Sequence, residues 1–406
     1  MKIREHHSHA AIAGGPGELL AAIPHLVGFH PYASMVVIHV DRKRQRTGTL
    51  LRLDLPAARE DQQRYAAELA TIVEQGQPDS VILVCYGSGG APAGGGGAPP
   101  GAGGLGPGPR GARAAPGGTP AGDGGPPGEE RVPAASGGRR GELPYAAMIE
   151  HIARELASRH IAVAGTAYVD HGRWWTYDCD HPGCCPADGV PVPGSDAGAA
   201  AEVATRAALH GRRTLASRLE LEGAVRGPVG KDAAVLRRLF ERVDRDLAAE
   251  MLADGGDAVR GRTLTLVRLL LARSADGRLE LTDDEVARVS LGAADLQLRD
   301  RFIALEGADP VAWLELLTAA ARRTPDARSA GICSLVAWIA YQQGDGALAN
   351  VALDRVLDTD PGHTLGLLLR ACLDGQVSPA HITAMTRQAL AAADRARKEV
   401  SAAGTP

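Results

Sequence analysis

The first part of the chain alternates apolar and polar segments in the manner of a sheet flanked by helices. Ser34–Val40 (SMVVIHV) and Gly48–Leu55 (GTLLRLDL) have the composition of strands, and the polar segment between them predicts a β-hairpin. Glu60–Gln75 repeats large side chains along one helical face. Ser80–Tyr86 (SVILVCY) is a continuous apolar run of strand length, which is typical of a strand buried on both faces. These elements predict an α/β domain.

The same patterns extend this domain in both directions. Pro16–Ile23 predicts a short helix, because proline suits a first helical position, and we expect a loop after it. Helical spacing over Pro144–His160 precedes two further predicted strands, Ile161–Asp170 and Arg173–Tyr177. A hairpin combined with later strands indicates a mixed sheet.

Residues 87–143 interrupt this domain with a tract dominated by Gly, Pro and Ala. Such a segment has too little large apolar surface to offset the entropy cost of ordering it, so we predict a disordered insertion. The tract falls between a predicted strand and a predicted helix of the same domain. It is therefore expected to be a long surface loop and not a domain boundary.

Helical periodicity dominates the second half of the chain. Two further helices are predicted over 197–209 and 215–225, and Gly and Pro at 226–231 (RGPVGK) interrupt the pattern. We therefore predict an α/β domain over 1–226, an all-helical domain over 227–397 and a flexible tail over 398–406.

One helical pair resembles a tetratricopeptide hairpin. Ala337, Ala349 and Pro361 occupy the small, small and proline positions of that motif, Leu353 occupies a large apolar position, and Gly344 lies in the turn. Only one such unit is clear, whereas about three are normally needed for an independent stack. An ordinary helical bundle and a peptide-binding helical groove both remain open.

Composition and charge exclude several classes of function. The 406 residues are 45% hydrophobic and carry a formal net charge of -4, which provides no overall attraction to nucleic acid or anionic lipid. The N-terminus lacks a secretory apolar region, and no apolar run approaches the ~20 residues needed to span a bilayer. We therefore expect a cytoplasmic protein with no membrane partner and no nucleic-acid partner. Six cysteines in so long a chain do not indicate a disulfide framework.

Half of those cysteines lie in the segment 172–192 (GRWWTYDCDHPGCCPADGVPV). Cys179, His181, Cys184 and Cys185 supply the thiolate and imidazole ligands that Zn²⁺ prefers, although adjacent cysteines are unusual in a zinc knuckle. A redox or disulfide role and simple packing of small hydrophobic side chains are the alternatives. In each case we expect the segment to be a fixed clasp beneath its two tryptophans.

A second candidate site is the charged pair Arg52 and Asp54. Both alternate with the leucines of the second predicted strand, so they share the face opposite Leu51, Leu53 and Leu55. A pair of this kind binds a polar ligand when it lies in a cleft, and otherwise forms a solvated face or a structural ion pair. No catalytic residues are assigned, because no nucleophile is accompanied by both a base and an orienting acid.

Several sequence blocks, taken in order, resemble one family. They are PHLVGFHPYASMVVI (24–38), RLDLP (52–56), WWTYDC with CCP (174–186) and GDGALANVALDRVLDTDPGH (344–363). Their order and spacing resemble the actinobacterial family called domain of unknown function 4192. The resemblance implies a shared fold and a cytoplasmic bacterial setting, and it implies no particular reaction.

Two functional hypotheses follow. The first is a non-enzymatic interaction or scaffold protein that binds a protein partner through its C-terminal helices. The second is an enzyme, small-ligand or metal-binding protein with a cleft between the Arg52/Asp54 strand and the Cys179–Cys185 segment.

Overall fold

A six-stranded mixed sheet organises the N-terminal half of the computed structural model. The structure describes residues 15–41, 46–56, 58–89, 143–179, 181, 185–194, 196, 198–209, 211–305 and 307–403. The strands are β1 (Ser34–Asp41), β2 (Arg46–Asp54), β3 (Ser80–Tyr86), β4 (Ala162–Asp170), β5 (Arg173–Trp175) and β6 (Val190–Pro191). Their order across the sheet is β2-β1-β3-β4-β5-β6, so β2 lies at one edge. Strands β3 and β4 are parallel, and the other neighbours are antiparallel.

Fourteen α-helices are described. Five belong to the sheet region and its exit: α1 (Pro16–Val27), α2 (Gln62–Gln75), α3 (Ala146–Ser158), α4 (Gly198–Leu209) and α5 (Arg218–Gly223). The others are α6 (Gly230–Asp254), α7 (Gly256–Ala275), α8 (Asp283–Ala294), α9 (Leu296–Ile303), α10 (Pro310–Ala321), α11 (Ala330–Gln342), α12 (Gly346–Thr359), α13 (Thr364–Asp374) and α14 (Pro379–Ala403). The predicted mixed α/β region followed by an all-helical region is confirmed.

Helices cover both faces of the sheet, which explains the continuous apolar runs of its inner strands. Met35 and Leu83 point to the face covered by α2 and α3, and they belong to one buried cluster. Val36 and Val84 point to the opposite face, where the cluster continues into α1 and the C-terminal helices. Neighbouring residues of a strand face opposite sides, so a strand covered on both sides must be apolar throughout.

Helix α1 is longer than predicted, because it continues through Pro24 to Val27 where a loop was expected. Leu20, Ile23 and Val27 are buried along one face, so burial favours the additional turn over the helix-breaking tendency of proline. Gly28 then ends the helix with a φ of 91° and donates its amide to the Pro24 carbonyl at 2.8 Å.

Helix α5 begins later than predicted, because the residues before it pair with the N-terminal region. Leu215 accepts a hydrogen bond from the His30 amide at 3.0 Å and donates its own amide to the Gly28 carbonyl at 2.8 Å. Leu215 and Phe29 thus form an isolated parallel bridge. This bridge fixes α5 close to the end of α1.

The C-terminal helices pack around α11, whose residues Gly331 to Tyr341 are all buried. A helix that is apolar on every side belongs at the centre of a helical layer. Helices α11 and α12 form the antiparallel pair predicted at Gly344, whose φ is 72°. The buried cluster on this side runs without a break from the sheet to α11, while the division at residue 226 stays a prediction.

Some predictions fall on the remaining residues. Of the predicted insertion at 87–143, positions 90–142 lie outside the described residues. The predicted tail at 398–406 begins inside α14, which reaches Ala403. Among the helices that the structure describes, none combines the length and the apolar character required to cross a bilayer.

Candidate functional site: a cleft beside an edge strand

A cleft of about 610 Å³ lies between strand β2 and the C-terminal helices. One wall is six consecutive residues of β2, Gly48 to Leu53, and the floor includes Phe29 and Ile38. The opposite wall consists of the α11–α12 turn and the α13–α14 turn, from Tyr341 to Asn350 and from Leu373 to Pro379. The volume falls in the range of roughly 300–1,000 Å³ that is typical of binding sites.

The β2 wall presents its backbone edge to this cleft. Leu55 donates its amide to the Ala33 carbonyl at 3.1 Å, and Ser34 lies opposite Asp54 in the register. In an antiparallel pair the backbone groups of alternate residues point to the partner strand, so the odd-numbered leucines of β2 bond to β1. The N–H and C=O groups of Leu50, Arg52 and Asp54 therefore point outward.

No backbone or side-chain partner for these outward groups is found in the described part of the chain. Residues from both faces of β2, such as Leu50 and Leu51, line the cleft. This is expected when the cleft lies along the strand edge and not above one face of the sheet.

Gln376 closes one end of the cleft by joining the α13–α14 turn to α2. Its Nε2 donates to the carbonyl of Ile72 at 2.6 Å, although the two residues are 304 positions apart. A Cβ atom added to Gly76 would lie 2.3 Å from Gln376 Oε1 and 2.5 Å from His39 Cε1. Gly76 therefore permits this close packing, and burial lowers the pKa of His39 to about 4.

Tyr341 holds the same turn from the inside. Its hydroxyl donates to the carbonyl of Val377, and a longer contact of 3.4 Å reaches the carbonyl of Cys372. Burial raises the pKa of Tyr341 to about 12, so the phenol stays a hydrogen-bond donor at neutral pH.

Arg52 lies at the other end of the cleft. Its Nε donates to Ser34 Oγ at 2.8 Å, its Nη2 lies 2.5 Å from Asp54 Oδ1, and its Cζ is 5.9 Å from the centroid of the Phe29 ring. The Arg52 side chain is only 12% exposed, whereas that of Asp54 is 77% exposed. The two charges form an ion pair, and the arginine also lines the cleft. Leu51, Leu53 and Leu55 pack on the opposite face, as the alternation predicts.

A second arginine, Arg218 of α5, also lines the cleft. It forms ion pairs with Glu222 at 3.1 Å and with Asp354 of α12 at 3.0 Å. Arg370 of α13 also contacts Asp354 at 2.5 Å. These arginines join three helices behind the cleft wall.

The cysteine segment lies at the opposite edge of the sheet, because it follows β5. Four strand spacings separate β2 from β5, which is roughly 19 Å. The hypothesis of a single cleft between the Arg52/Asp54 strand and Cys179–Cys185 is therefore wrong in its geometry. The two candidate sites are separate.

Within that segment, the amide of His181 donates to Cys179 Sγ at 3.5 Å, and the amide of Cys185 donates to the carbonyl of His181 at 2.8 Å. Cys184 lies outside the described residues. No group of three or more His, Cys, Asp or Glu side chains suited to a metal is found among the described residues. Zinc binding by Cys179, His181, Cys184 and Cys185 stays a prediction.

The two tryptophans do not form a common roof over this segment. They are adjacent in β5, so Trp174 packs with the cluster beneath α1 while Trp175 packs with the cluster beneath α3. Trp175 Nε1 donates to the carbonyl of Ala187 at 2.9 Å and its ring lies 5.8 Å from that of Tyr168. Both tryptophans contact the segment, Trp174 through its strand pairing with Val190 and Trp175 through Ala187, but their rings lie on opposite faces of the sheet.

The sequence did not indicate the polar contacts at the ends of the parallel strands. Asp170 Oδ1 accepts the amides of Gly89 at 2.9 Å and His171 at 3.1 Å, and Oδ2 accepts the Tyr168 hydroxyl at 3.1 Å. Cys85 is fully buried nearby, and desolvation raises the pKa of its thiol far above the usual range. A thiol of this kind is a structural group and not a nucleophile.

The sequence also did not indicate Arg218, Asp374 and Gln376 as lining residues, because no local motif distinguishes them from the other residues of the helical region. Only the position of β2 at the sheet edge reveals which distant turn faces it.

The residues matched by a family model include every residue found to line this cleft. A family model described as "Domain of unknown function (DUF4192)" matches residues 16–380. The chain belongs to the DUF4192 family. The matched region begins at α1 and ends in the first residues of α14, so the cleft lies within the DUF4192 domain. No curated protein and no solved structure matches the chain.

Proposed function

We propose that this DUF4192 protein is a non-enzymatic interaction protein that binds an extended segment of a partner protein along the outer edge of β2. The observation that carries the proposal is that the outward backbone groups of Leu50 and Arg52 lie in a cleft of about 610 Å³, with those of Asp54 following just beyond its lining. Extended peptides commonly bind by adding a strand to such an edge.

The size of the cleft suits this mode of binding. Its β2 wall is six residues long, and an extended strand rises about 3.3 Å per residue, so the wall offers room for a peptide of similar length. Leu50, Leu51 and Ile72 provide apolar surface on the sheet side, and Leu373 and Val377 provide it on the helical side. Main-chain hydrogen bonds would supply affinity and these side chains would supply selectivity.

The helical wall supports a protein partner over a small metabolite. Exposed edge strands are a risk for uncontrolled association, and proteins usually cover them, charge them or keep them short. Here the α11–α12 and α13–α14 turns leave a cleft of about 610 Å³ beside the edge, and we propose that one strand of the partner occupies it. We further propose that the α11–α12 pair acts as a tetratricopeptide-like hairpin in this wall. An actinobacterial, cytoplasmic setting is proposed on the family resemblance alone.

The experiment uses a random 12-residue peptide library displayed on phage and selected on the full chain. Fluorescence anisotropy then measures the affinity of each selected peptide for the wild-type protein and for the variants Leu50→Pro and Leu50→Ala. Proline removes the outward amide of Leu50 and is tolerated on edge strands, whereas alanine removes the same side chain and keeps the amide. We expect Leu50→Ala to retain most of the affinity and Leu50→Pro to lose at least about ten-fold more.

Hydrogen exchange provides the second measurement. Peptide binding should slow the exchange of the amides of Leu50, Arg52 and Asp54, which point outward, more than that of Leu51 and Leu53. Peptides that bind equally to the proline and alanine variants, without protecting β2, would overturn the proposal. So would a co-purified small molecule that occupies the cleft and that no selected peptide displaces.

A further inference from the structure

The charges of the cleft are separated along its length. The charged side chains in its described lining are Arg52, Arg218 and Asp374. Arg52 lies at the end of β2 that contacts Phe29, and α5, which carries Arg218, follows the Phe29–Leu215 bridge. Arg52 therefore lies at the Phe29 end of the cleft, and Arg218 lies on the helix that follows the bridge to Phe29.

Asp374 lies at the opposite end. It precedes Gln376 by two residues, and the Gln376 side chain reaches Gly76 beside His39. His39 in turn lies next to Gly48, because a Cβ atom added to Gly48 would be 3.5 Å from His39 Cβ. Gly48 and Arg52 are four residues apart on β2, which is at most roughly 13 Å, because the register with β1 shifts by one residue between Thr47 and Leu50.

Asp374 is unusual for its position in the fold. It is the last residue of α13, where the helix dipole makes a negative side chain unfavourable. It is exposed, and no ion-pair or hydrogen-bond partner for its carboxylate is found among the described residues. The arginine one turn earlier on α13, Arg370, pairs with Asp354, so the Asp374 carboxylate lines the cleft without a cation of its own in the described structure.

We infer that the segment bound along β2 carries an acidic side chain beside Arg52 and Arg218 and a basic side chain beside Asp374, about four residues away. This inference rests on the proposed function, since the separation of the charges has this meaning only for an extended occupant. Residues four apart in a strand share one face, so both side chains of such a segment point to the same wall. Complementary charges of this kind fix the register and the direction of the bound strand.

The order of the charges reports strand direction. A segment that runs antiparallel to β2 begins near Arg52, so its acidic residue precedes its basic residue. A parallel segment has the reverse order. Apolar residues are expected at the intervening alternate positions, which face Leu51, Leu53 and Ile72.

The test uses the phage-selected peptides, synthesised with single charge changes. We expect Asp374→Lys to weaken a peptide with the acidic and basic pair at least about ten-fold, and a basic-to-Glu change in that peptide to restore binding to this variant. Asp358→Lys makes the same charge change at an exposed position of α12 outside the cleft lining, and it should leave affinity within about two-fold. Replacing the acidic residue of the peptide by Gln tests its interaction with Arg52 and Arg218 without disturbing the packing of Arg52 in the protein.

The outcomes separate this inference from the proposed function. Peptides whose affinity depends on the Leu50 amide but does not respond to Asp374→Lys would overturn the charge arrangement and leave strand addition in place. Peptides that respond to neither change would overturn both. Selected sequences without an acidic and basic pair at a spacing of about four, in either order, also contradict the inference.

Discussion

The Arg355 guanidinium donates a hydrogen bond from Nη1 to the backbone carbonyl of Val225, at 2.5 Å. The same group donates to the carbonyls of Ala321 at 2.7 Å and Thr324 at 2.6 Å. It thus joins α12 to the end of α10 and to the residue just before the predicted domain limit at 226. One side chain, only 10% exposed, satisfies three carbonyl groups from two different segments.

We expect Arg355→Met to lower the free energy of unfolding by about 3 kcal/mol, because three carbonyls lose a charged donor while the aliphatic stem is kept. Arg355→Lys should lower the free energy of unfolding by less than Arg355→Met does, but by more than a substitution at an exposed surface position. An ammonium group does not reproduce the planar fork of a guanidinium. Urea unfolding of the full chain provides the measurement.

A matched control is Arg278→Met. Arg278 contacts Asp276, and both side chains are more than half exposed, so we expect a change within about 0.5 kcal/mol. Equal midpoints for the two methionine variants would show that the carbonyl contacts of Arg355 do not hold the segments together.

Gly331 marks a close approach between α11 and α8. A Cβ atom added there would lie 2.8 Å from the backbone carbon and oxygen of Ala293 in α8. Backbone atoms cannot move aside as a flexible side chain can, so Gly331→Ala should destabilise the protein by about 3 kcal/mol despite the better helix propensity of alanine. Gly261→Ala, also within a helix but with no neighbour within 4 Å of the added atom, should instead add up to about 1 kcal/mol. Thermal unfolding of both variants measures the change in stability. A destabilised Gly261→Ala variant would contradict the packing argument.

The sequence predicted the sheet well because its strands have local signals. The hairpin of β1 and β2 and the buried run of β3 lie within a residue or two of the predicted limits. The errors arose where distant contacts override local preference. Helix α1 continues through Pro24 because its extra turn buries Val27, and α5 starts late because Leu215 pairs with Phe29.

The candidate site was only half predictable. Arg52 was identified from the alternation of β2, and it does line a cleft. Its actual counterparts, Arg218, Asp374 and Gln376, come from parts of the chain without any local signal of a site. The sequence instead suggested the cysteine segment as the opposite wall, and the order of strands places that segment beyond β4. Strand order is a long-range property that no local pattern encodes.

The zinc hypothesis makes a direct prediction for the cysteine segment. If Cys179, His181, Cys184 and Cys185 bind a metal, the purified full chain contains about one zinc ion per molecule after dialysis, and Cys179→Ser or Cys185→Ser removes it. Elemental analysis by mass spectrometry measures the ratio. Cys372→Ser is the control, because Cys372 lies on α13 next to the cleft at the other edge of the sheet, and it should leave the ratio unchanged. A metal-free wild-type protein leaves the cysteines to packing or redox chemistry.

His39 provides a prediction about acid stability. It is 5% exposed, its Nε2 has no hydrogen-bond partner in the described structure, and burial lowers its pKa from 6.5 to about 4. Between these two pH values the unfolded chain binds a proton at this position that the folded chain does not bind. Stability therefore falls as the pH decreases from about 7 to about 4 and does not fall further below 4 from this cause. Relative to His39→Asn, the wild type should lose about 2 kcal/mol between pH 8 and pH 5.

The pH dependence of unfolding by urea, measured for both proteins, tests this expectation, and the difference between the two curves removes the contribution of other groups. A histidine NMR titration provides an independent check, because a neutral His39 should keep its ring chemical shifts unchanged down to about pH 5. Since His39 contacts Gly76 beside Gln376, protonation should also loosen the closed end of the cleft. A His39 resonance that titrates near pH 6.5, with parallel stability curves for the two proteins, would show that the ring is hydrated and that this end of the cleft is not closed by packing.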